Sequence, residues 1–246
     1  MIIASAQTKP KRGNIEENLV DHYRLIGIAS DNGADLITFP EMSITGYERE
    51  TASSLAFTPN DSRLDKLKQL SIDKKITIIA GAPIQINSDL FIGGFVVQPD
   101  NSVRIYTKQF LHSGEEEYFK PSFNYNPIIK LGNEQISLAI CFDIENPIHP
   151  ENASKLGCSL YIPSIFYTPN GILSAHNLLS SYARKYSMNI LLSNYCGESW
   201  NLPCGGRSAF WNENGDLIIG LENSNSGILI AERINDIWTG RIITDK

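Results

Sequence analysis

Three chemically reactive side chains stand at the ends of apolar segments that are typical of buried strands. Glu41 follows the run LITFP, Lys108 follows VRIYT, and Cys141 follows SLAI. Taken singly, these residues have ordinary explanations as a turn carboxylate, an edge-strand cation and a packed thiol. Taken together, they supply a base, a cation and a nucleophile at the carboxyl ends of strands, where α/β proteins place their sites.

The chemistry open to such a set is attack of the cysteine sulfur on an acyl carbon. A thiol with an ordinary pKa of ~8.5 is a weak nucleophile at pH 7, so it needs a base. Glu41 can take the proton if burial raises its own pKa toward neutrality. The Lys108 ammonium would stabilise both the thiolate and the oxyanion, and the backbone N–H of Phe142 would be the second oxyanion donor.

Alternating apolar and amphipathic segments predict the elements that must bring these residues together. A helix is predicted after the capping box of Asn14 and Glu17, and a long one over about 172–187. Apolar runs such as ITIIAGAPI predict strands, and a turn at 99–101 predicts a hairpin. The order strand–helix–strand–helix–strand and then hairpins occurs twice. This favours an α/β fold of two similar halves sharing one core, in a single domain spanning 1–246.

Composition disfavours several classes of function. The net charge is −6 and the basic residues are scattered, so we expect neither a nucleic-acid partner nor a polybasic membrane contact. No apolar stretch approaches the ~18 residues of a membrane span, and the N-terminus lacks the pattern of a secretory signal, so we expect a cytoplasmic protein. The four cysteines lack metal-ligand spacing, so neither a metal site nor a disulfide framework is expected.

The segments around the three reactive residues resemble those of the carbon–nitrogen hydrolase (nitrilase) superfamily over nearly the whole chain. The matching pieces are FPEMSITGY, YTKQFL and CFDIENP, followed by LYIPSIF, ARKYSMNILLSNYCG and GGRSAFWNENGDLI. The resemblance implies a four-layer α-β-β-α sandwich with a catalytic triad of Glu41, Lys108 and Cys141. It also implies no metal or organic cofactor, and a homodimer or higher homo-oligomer.

Many members of this superfamily carry a second glutamate between the lysine and an F-x-P-G element. Aligning that element with FKPS selects Glu115, whose implied role is to orient Lys108 and to contact the attacking water. Ser122 stands here in place of the family's usual glycine, so the neighbouring Glu116 remains an alternative. The remainder of this acidic run would then be a solvated surface cluster.

The residues that flank the cysteine bear on the substrate. Nitrilases of the family usually follow the cysteine with Trp-Glu, so Phe142-Asp143 favours an amidase or an N-carbamoyl amidohydrolase. Such an enzyme would cleave a non-peptide C–N bond of a small amide through a thioester and release ammonia or an amine. Tyr47, Phe166 and Tyr167 are candidate substrate-binding walls. The segment after the cysteine contains no arginine that would predict a carboxylate-binding site. The identity of the substrate therefore stays open.

Several alternatives remain open at this level. The same triad could hydrolyse a small nitrile, or the chain could be a catalytically silent binding protein on the same fold. A papain-like Cys–His pair would have to use His112, His149 or His176, none of which has a matching local motif. We do not expect a glutamine-dependent synthetase, because no second domain follows, or a lipoprotein acyltransferase, because membrane helices are missing.

Overall fold

Two β-sheets form the centre of the protein in the computed structural model, which describes residues 1–244. The seven strands of the first sheet are β1 (Ile2–Gln7), β2 (Leu36–Thr38), β3 (Thr77–Ile86), β4 (Asp89–Val97), β5 (Val103–Thr107), β14 (Gly227–Ile234) and β15 (Ile237–Thr244). The six strands of the second sheet are β6 (Ile129–Leu131), β7 (Glu134–Ile140), β8 (Leu160–Ser164), β9 (Asn189–Leu192), β12 (Ala209–Trp211) and β13 (Leu217–Gly220). A separate short hairpin consists of β10 (Glu198–Ser199) and β11 (Leu202–Pro203).

Helices cover the outer faces of both sheets. The α-helices are α1 (Ile15–Asp31), α2 (Ala52–Leu55), α3 (Asp65–Lys74), α4 (Ile148–Lys155) and α5 (Pro169–Tyr186), and 3-10 turns span Ser62–Leu64 and Cys141–Glu145. The predicted cap at α1 is present, since the Asn14 side chain accepts the backbone N–H of Glu17 at 3.1 Å. Within residues 1–244, no helix combines the length and the apolar character needed to cross a bilayer.

Three apolar clusters hold these layers together. The middle cluster joins the two sheets, with Ile3, Ile79, Leu138 and Ile162 among its members. The other two clusters lie between a sheet and its helices, α1 and α3 on one side and α4 and α5 on the other. Because each sheet is apolar on both faces, it needs a partner on each side, which produces the four-layer α-β-β-α sandwich. The predicted fold class is confirmed.

The order of the strands brings the ends that carry the reactive residues toward one region. In the first sheet the order is β15-β14-β1-β2-β3-β4-β5, with β1, β2 and β3 parallel. Strands β3, β4 and β5 pair antiparallel in turn, so β5 runs in the same direction as β2. In the second sheet the order is β13-β12-β9-β8-β7-β6, with β7, β8 and β9 parallel. Glu41 and Lys108 therefore follow strands that end at the same edge of one sheet.

The structure differs from the sequence prediction in a few elements. The long helix begins at Pro169 rather than near 172, because proline suits the first helical position. Strand β15 is not predicted, and it pairs with β14 at the sheet edge. The β10–β11 hairpin is not predicted either, because its turn residues Trp200 and Asn201 adopt positive φ without a glycine to signal it.

The turn that carries Glu41 lies directly against β3. Met42 has a φ of 50°, and Ile44 N–H donates to the carbonyl of Gly81 at 2.9 Å. A Cβ at Gly81 would lie 2.5 Å from the backbone nitrogen of Met42, so only glycine permits this approach. The placement of Glu41 therefore depends on the absence of a side chain at Gly81 in β3.

We expect Gly81→Ala to lower the free energy of unfolding by about 1–3 kcal/mol, because the added methyl group would overlap the backbone of this turn. Urea unfolding followed by circular dichroism measures the loss. Gly94→Ala is the matched control, since Gly94 pairs with Gly81 across β3 and β4 and a Cβ there meets nothing within 4 Å beyond its chain neighbours. Equal losses in the two variants would show that the close approach is not required.

Candidate active site

A buried ammonium group holds two carboxylates together. Lys108 Nζ donates to Glu41 Oε1 at 2.9 Å and to Glu115 Oε1 at 2.8 Å, and all three side chains are fully buried. Glu116 and Glu117 are exposed. Of the three consecutive glutamates, the structure therefore brings Glu115 to the lysine, in agreement with the alignment to FKPS.

The second glutamate, Glu115, accepts hydrogen bonds from three donors, one of which is Lys108. Glu115 Oε1 also accepts the hydroxyl of Tyr47 at 2.6 Å, and its Oε2 accepts the backbone N–H of His112 at 2.8 Å. A carboxylate held by three donors keeps a fixed orientation. Because its orientation is fixed, Glu115 holds the Lys108 ammonium in place.

Glu41 has a different environment, with one oxygen left open. Its Oε1 accepts from Lys108, whereas Oε2 is buried and has no hydrogen-bond partner among residues 1–244. The hydroxyl of Tyr195 donates to the backbone carbonyl of Glu41 and so anchors the turn from the second sheet. Glu41 thus has a fixed backbone and an oxygen available to accept a proton.

Cys141 stands at the junction between β7 and a 3-10 turn. Its φ is 46°, a left-handed conformation that is uncommon for a residue with a side chain and that is often found at functional sites. The thiol is partly exposed, and its Sγ lies 3.7 Å from the carbonyl oxygen of Phe166. Phe142 occupies the first turn after the cysteine, where backbone N–H groups have no intrahelical acceptor.

A second buried carboxylate system ties the cysteine turn to the lysine turn. Asp143 Oδ1 accepts the backbone N–H groups of Gln109 and Phe110, both at 2.9 Å. Its Oδ2 accepts the backbone N–H of Ile140 at 2.9 Å and the hydroxyl of Tyr106 at 2.6 Å. Asp143 therefore fixes the distance between the residues that follow Lys108 and those that flank Cys141.

Burial and charge set the protonation of the three reactive groups. Burial raises the pKa of the Glu41 carboxyl from its ordinary 4.5 to about 7, although Lys108 opposes this rise. Burial alone would lower the pKa of Lys108, but the charges of Glu41, Cys141 and Glu115 outweigh it and raise that pKa overall. Burial raises the pKa of the Cys141 thiol well above its ordinary value, Glu41 raises it further, and Lys108 lowers it. At neutral pH the resting site therefore holds a thiol and an ammonium beside a glutamate that binds its proton more tightly than an exposed carboxylate does.

Cys141 opens into a cavity of ≈ 340 Å³ whose wall contains five Phe, Tyr and Trp side chains. The rings of Tyr47 and Phe166 lie 5.0 Å apart, centroid to centroid, and the hydroxyl of Tyr167 donates to Glu145 at 2.6 Å. The residues that line the cavity are Tyr47, Arg49, His112, Glu115, Cys141, Phe142, Glu145, Phe166, Tyr167, Thr168, Gly171, Trp200 and Leu202. All three predicted aromatic walls therefore face the same space as the cysteine.

The histidines give no support to a Cys–His pair. His112 lines the cavity, but its ring bonds to a neighbouring backbone carbonyl. His149 bonds to two tyrosine hydroxyls, and His176 bonds to a backbone carbonyl. Across residues 1–244 no group of three or more His, Cys, Asp or Glu side chains is arranged to hold a metal ion.

Two residues of the site are not predicted from the sequence. In the sequence, Asp143 serves only as an indicator of substrate class, although an acid two positions after the cysteine is a signal that could have identified it as a residue of the site. Arg49 lines the cavity, and nothing in the local segment GYERE separates it from a surface charge.

We expect Asp143→Asn to lower the free energy of unfolding by about 2–4 kcal/mol, because an amide nitrogen would replace an acceptor and leave buried donors unpaired. Urea unfolding measures the loss. Tyr106→Phe is the comparison, since it removes one of the four donors and should cost less. Stability of Asp143→Asn within about 0.5 kcal/mol of the wild type would contradict this account.

The raised pKa of Glu41 also predicts a pH dependence of stability. Because the folded state holds this proton more tightly than the unfolded state, the contribution of Glu41 is greatest below pH 4.5 and is lost as the pH rises toward 7. A shift of this size corresponds to on the order of 3 kcal/mol. The free energy of unfolding of the wild type, measured with urea at pH 5 and at pH 8, should include this contribution at the lower pH. The difference between the two pH values should be smaller in Glu41→Gln. Exposed Glu116→Gln should behave like the wild type, and identical pH profiles for all three proteins would refute the assignment.

Comparison of the sequence with known proteins gives matches over nearly the whole chain. The sequence model of the carbon-nitrogen hydrolase family matches residues 2–237. The glutamine-dependent NAD(+) synthetase of Thermotoga maritima is 28% identical over 94% of this chain, and the chain spans 41% of that relative's length. A nitrilase of Pyrococcus abyssi is 28% identical, with 63% of this chain and 59% of the relative covered.

Solved structures show the same fold. The crystal structure of an amidase from Nesterenkonia sp. has a TM-score of 0.85 at 23% identity, covering 94% of this chain and 89% of the amidase. The family match extends over nearly every element described above, from β1 into β15. The chain therefore belongs to the carbon-nitrogen hydrolase family.

Proposed function

We propose that the protein hydrolyses a non-peptide C–N bond of a small amide through a thioester on Cys141, and that it releases ammonia or an amine. One observation carries this proposal. Cys141 and Glu115 line one cavity, and Glu115 belongs to the buried cluster with Lys108 and Glu41, whose Oε2 has no hydrogen-bond partner among residues 1–244. Family membership supports the same class of reaction.

The first half of the reaction forms the thioester. Glu41 accepts the thiol proton as Sγ bonds to the amide carbonyl carbon, which its pKa of about 7 suits at neutral pH. The carbonyl oxygen becomes an oxyanion, stabilised by the Lys108 ammonium and the backbone N–H of Phe142. The C–N bond then breaks, and protonated Glu41 gives its proton to the leaving nitrogen.

The second half consumes one water molecule. Glu41 takes a proton from the water molecule while the water oxygen attacks the thioester carbon. The Lys108 ammonium and the backbone N–H of Phe142 stabilise the second oxyanion. The C–S bond breaks, the sulfur recovers a proton from Glu41, and a carboxylic acid leaves. Glu115 positions Lys108 throughout, since its hydrogen bonds to Tyr47 and to a backbone N–H hold it in place.

Ammonia release over a panel of small amides, N-carbamoyl amines and nitriles tests the proposal. We expect turnover of an amide or carbamoyl amine, and a loss of at least about 10³-fold in Cys141→Ser. Lys108→Met should lose about 10²–10³-fold, because an oxyanion donor is removed. Mass spectrometry of the wild type during turnover should show an acyl group on Cys141.

Cys158→Ser is the matched control, because this buried cysteine lies in the outer cluster of the second sheet. Circular dichroism establishes that each variant is folded. Activity of Cys141→Ser within tenfold of the wild type would refute the nucleophile. Exclusive turnover of nitriles would favour the nitrilase alternative, and no turnover of any compound would favour the silent binding protein. A homodimer and a cytoplasmic location stay predictions.

A further inference from the structure

An arginine without an ion-pair partner lies in the wall of the cavity. Arg49 is only 9% exposed, and its Nε is buried with no hydrogen-bond partner. Within residues 1–244 no carboxylate oxygen lies within ion-pair distance of its guanidinium. A buried unpaired charge costs free energy, and buried cations are normally matched by an anion. This cation shares the cavity with Cys141.

The guanidinium is held in position by aromatic stacking on a strained turn. Arg49 Cζ lies 3.7 Å from the centroid of the Trp200 ring and 5.7 Å from that of Tyr47. Trp200 has a φ of 50° at the tip of the β10–β11 hairpin, which is unusual for so large a side chain. Ser199 anchors this hairpin, since its Oγ accepts the backbone N–H of Tyr47 at 3.2 Å.

A glycine next to the Lys108–Glu115 pair makes room for the arginine. Gly114 has a φ of 85°, and a Cβ built there would lie 3.0 Å from Arg49 Nη1. The guanidinium therefore rests against the same loop that carries Glu115. It belongs to the inside of the cavity rather than to the outer surface.

The carboxylates around Arg49 are already engaged elsewhere. Glu115 is bound by Lys108, Tyr47 and a backbone N–H, and Glu145 accepts the hydroxyl of a tyrosine. Glu50, adjacent in sequence and exposed, accepts the indole N–H of Trp200 at 3.2 Å, and its charge interacts with Arg49 without an ion pair or a hydrogen bond. These side chains leave the guanidinium as a free donor in the cavity.

We propose that Arg49 binds a carboxylate at the far end of the substrate, so that the preferred substrate is a monoamide of a dicarboxylic acid. This inference rests on the proposed function, and it assigns the end of the substrate that does not react. The planar fork of a guanidinium matches the two oxygens of a carboxylate. The aromatic wall accommodates the carbon chain between the two ends.

The charges of the cavity favour a monoanion over a phosphate. Arg49 is the one unpaired cation among the lining residues, whereas Glu115 and Glu145 are acidic. One guanidinium balances one negative charge, and a dianion would need a further cation that this cavity does not offer. A carboxylate therefore fits the charge as well as the geometry.

Kinetics with matched pairs of amides test the inference. The anionic compounds are succinamate and glutaramate, and the uncharged counterparts of equal chain length are butyramide and pentanamide. We expect a higher kcat/KM for the anionic member of a pair in the wild type. In Arg49→Gln the ratio of anionic to uncharged kcat/KM should fall about 30- to 100-fold, mainly through KM, because a charge-assisted contact is lost. Arg49→Lys, which keeps the charge without the fork, should recover part of it.

Arg63→Gln is the matched control, because Arg63 stacks on Phe57 at the same 3.7 Å but is paired with Asp61 outside the cavity. A structural role for Arg49 would lower both members of a pair equally and leave the ratio unchanged, which would overturn the inference. A wild type that prefers the uncharged amides would overturn it as well, while leaving the amidase proposal intact.

A binding measurement separates the two proposals fully. Calorimetric titration of Cys141→Ala with glutaramate and with pentanamide needs no turnover. Tighter binding of glutaramate, abolished by adding Arg49→Gln, supports the anion site even if no amide is hydrolysed. Equal binding of the two compounds refutes it even if amides are hydrolysed.

Discussion

The site depends on one ammonium group that must serve two carboxylates where no water reaches them. Lys108 pairs with Glu41 and Glu115 at 2.9 and 2.8 Å, and the three side chains are completely buried. Removing one partner from such a cluster leaves an uncompensated buried charge, which typically costs about 3–5 kcal/mol. Three separate chain segments are therefore held together by a single cation. Burial of this cluster has a chemical consequence, because it raises the pKa of Glu41 to about 7 although Lys108 opposes the rise.

A second carboxylate holds the turn of Cys141 against this cluster without taking part in it. Asp143 binds backbone N–H groups on both sides of the gap between the lysine turn and the cysteine turn. The cysteine can then keep a left-handed backbone, since the surrounding hydrogen bonds outweigh its local strain. The inner wall of the cavity is thus held in place by two buried acids that bind different kinds of partner. Glu115 orients a cation, and Asp143 orients backbone.

The outer wall of the cavity is built by different parts of the chain. The segment 47–50 and the β10–β11 hairpin hold each other through the stack of Arg49 on Trp200 and the bond from Trp200 to Glu50. The proposed reaction uses the inner residues, whereas the proposed carboxylate site uses the outer residue Arg49. Reaction and selectivity can therefore change separately on this scaffold.

Much of the fold was accessible from the sequence because its signals are local. Apolar runs, the cap at Asn14 and the turn residues each depend on a few neighbouring positions, and the helices and most strands appear where they predict. Strand β15 was not accessible, since an edge strand with exposed residues acquires its identity only by pairing with β14. The β10–β11 hairpin is not predictable from the sequence for a related reason. Tertiary contacts impose positive φ values on its turn residues Trp200 and Asn201 without a glycine to signal the turn.

The amino-acid sequence specifies which chemical groups are present, and its motifs place Glu41, Lys108 and Cys141 after strands, with Glu115 in the segment that follows Lys108. The protonation of these groups depends on folding, since desolvation and buried charge are properties of the folded interior. The same holds for Arg49, which is an ordinary charge in the segment GYERE until folding buries it beside the cysteine. Chain positions specify side chains, but electrostatics depends on distances in space, and those distances exist only after the two sheets pack.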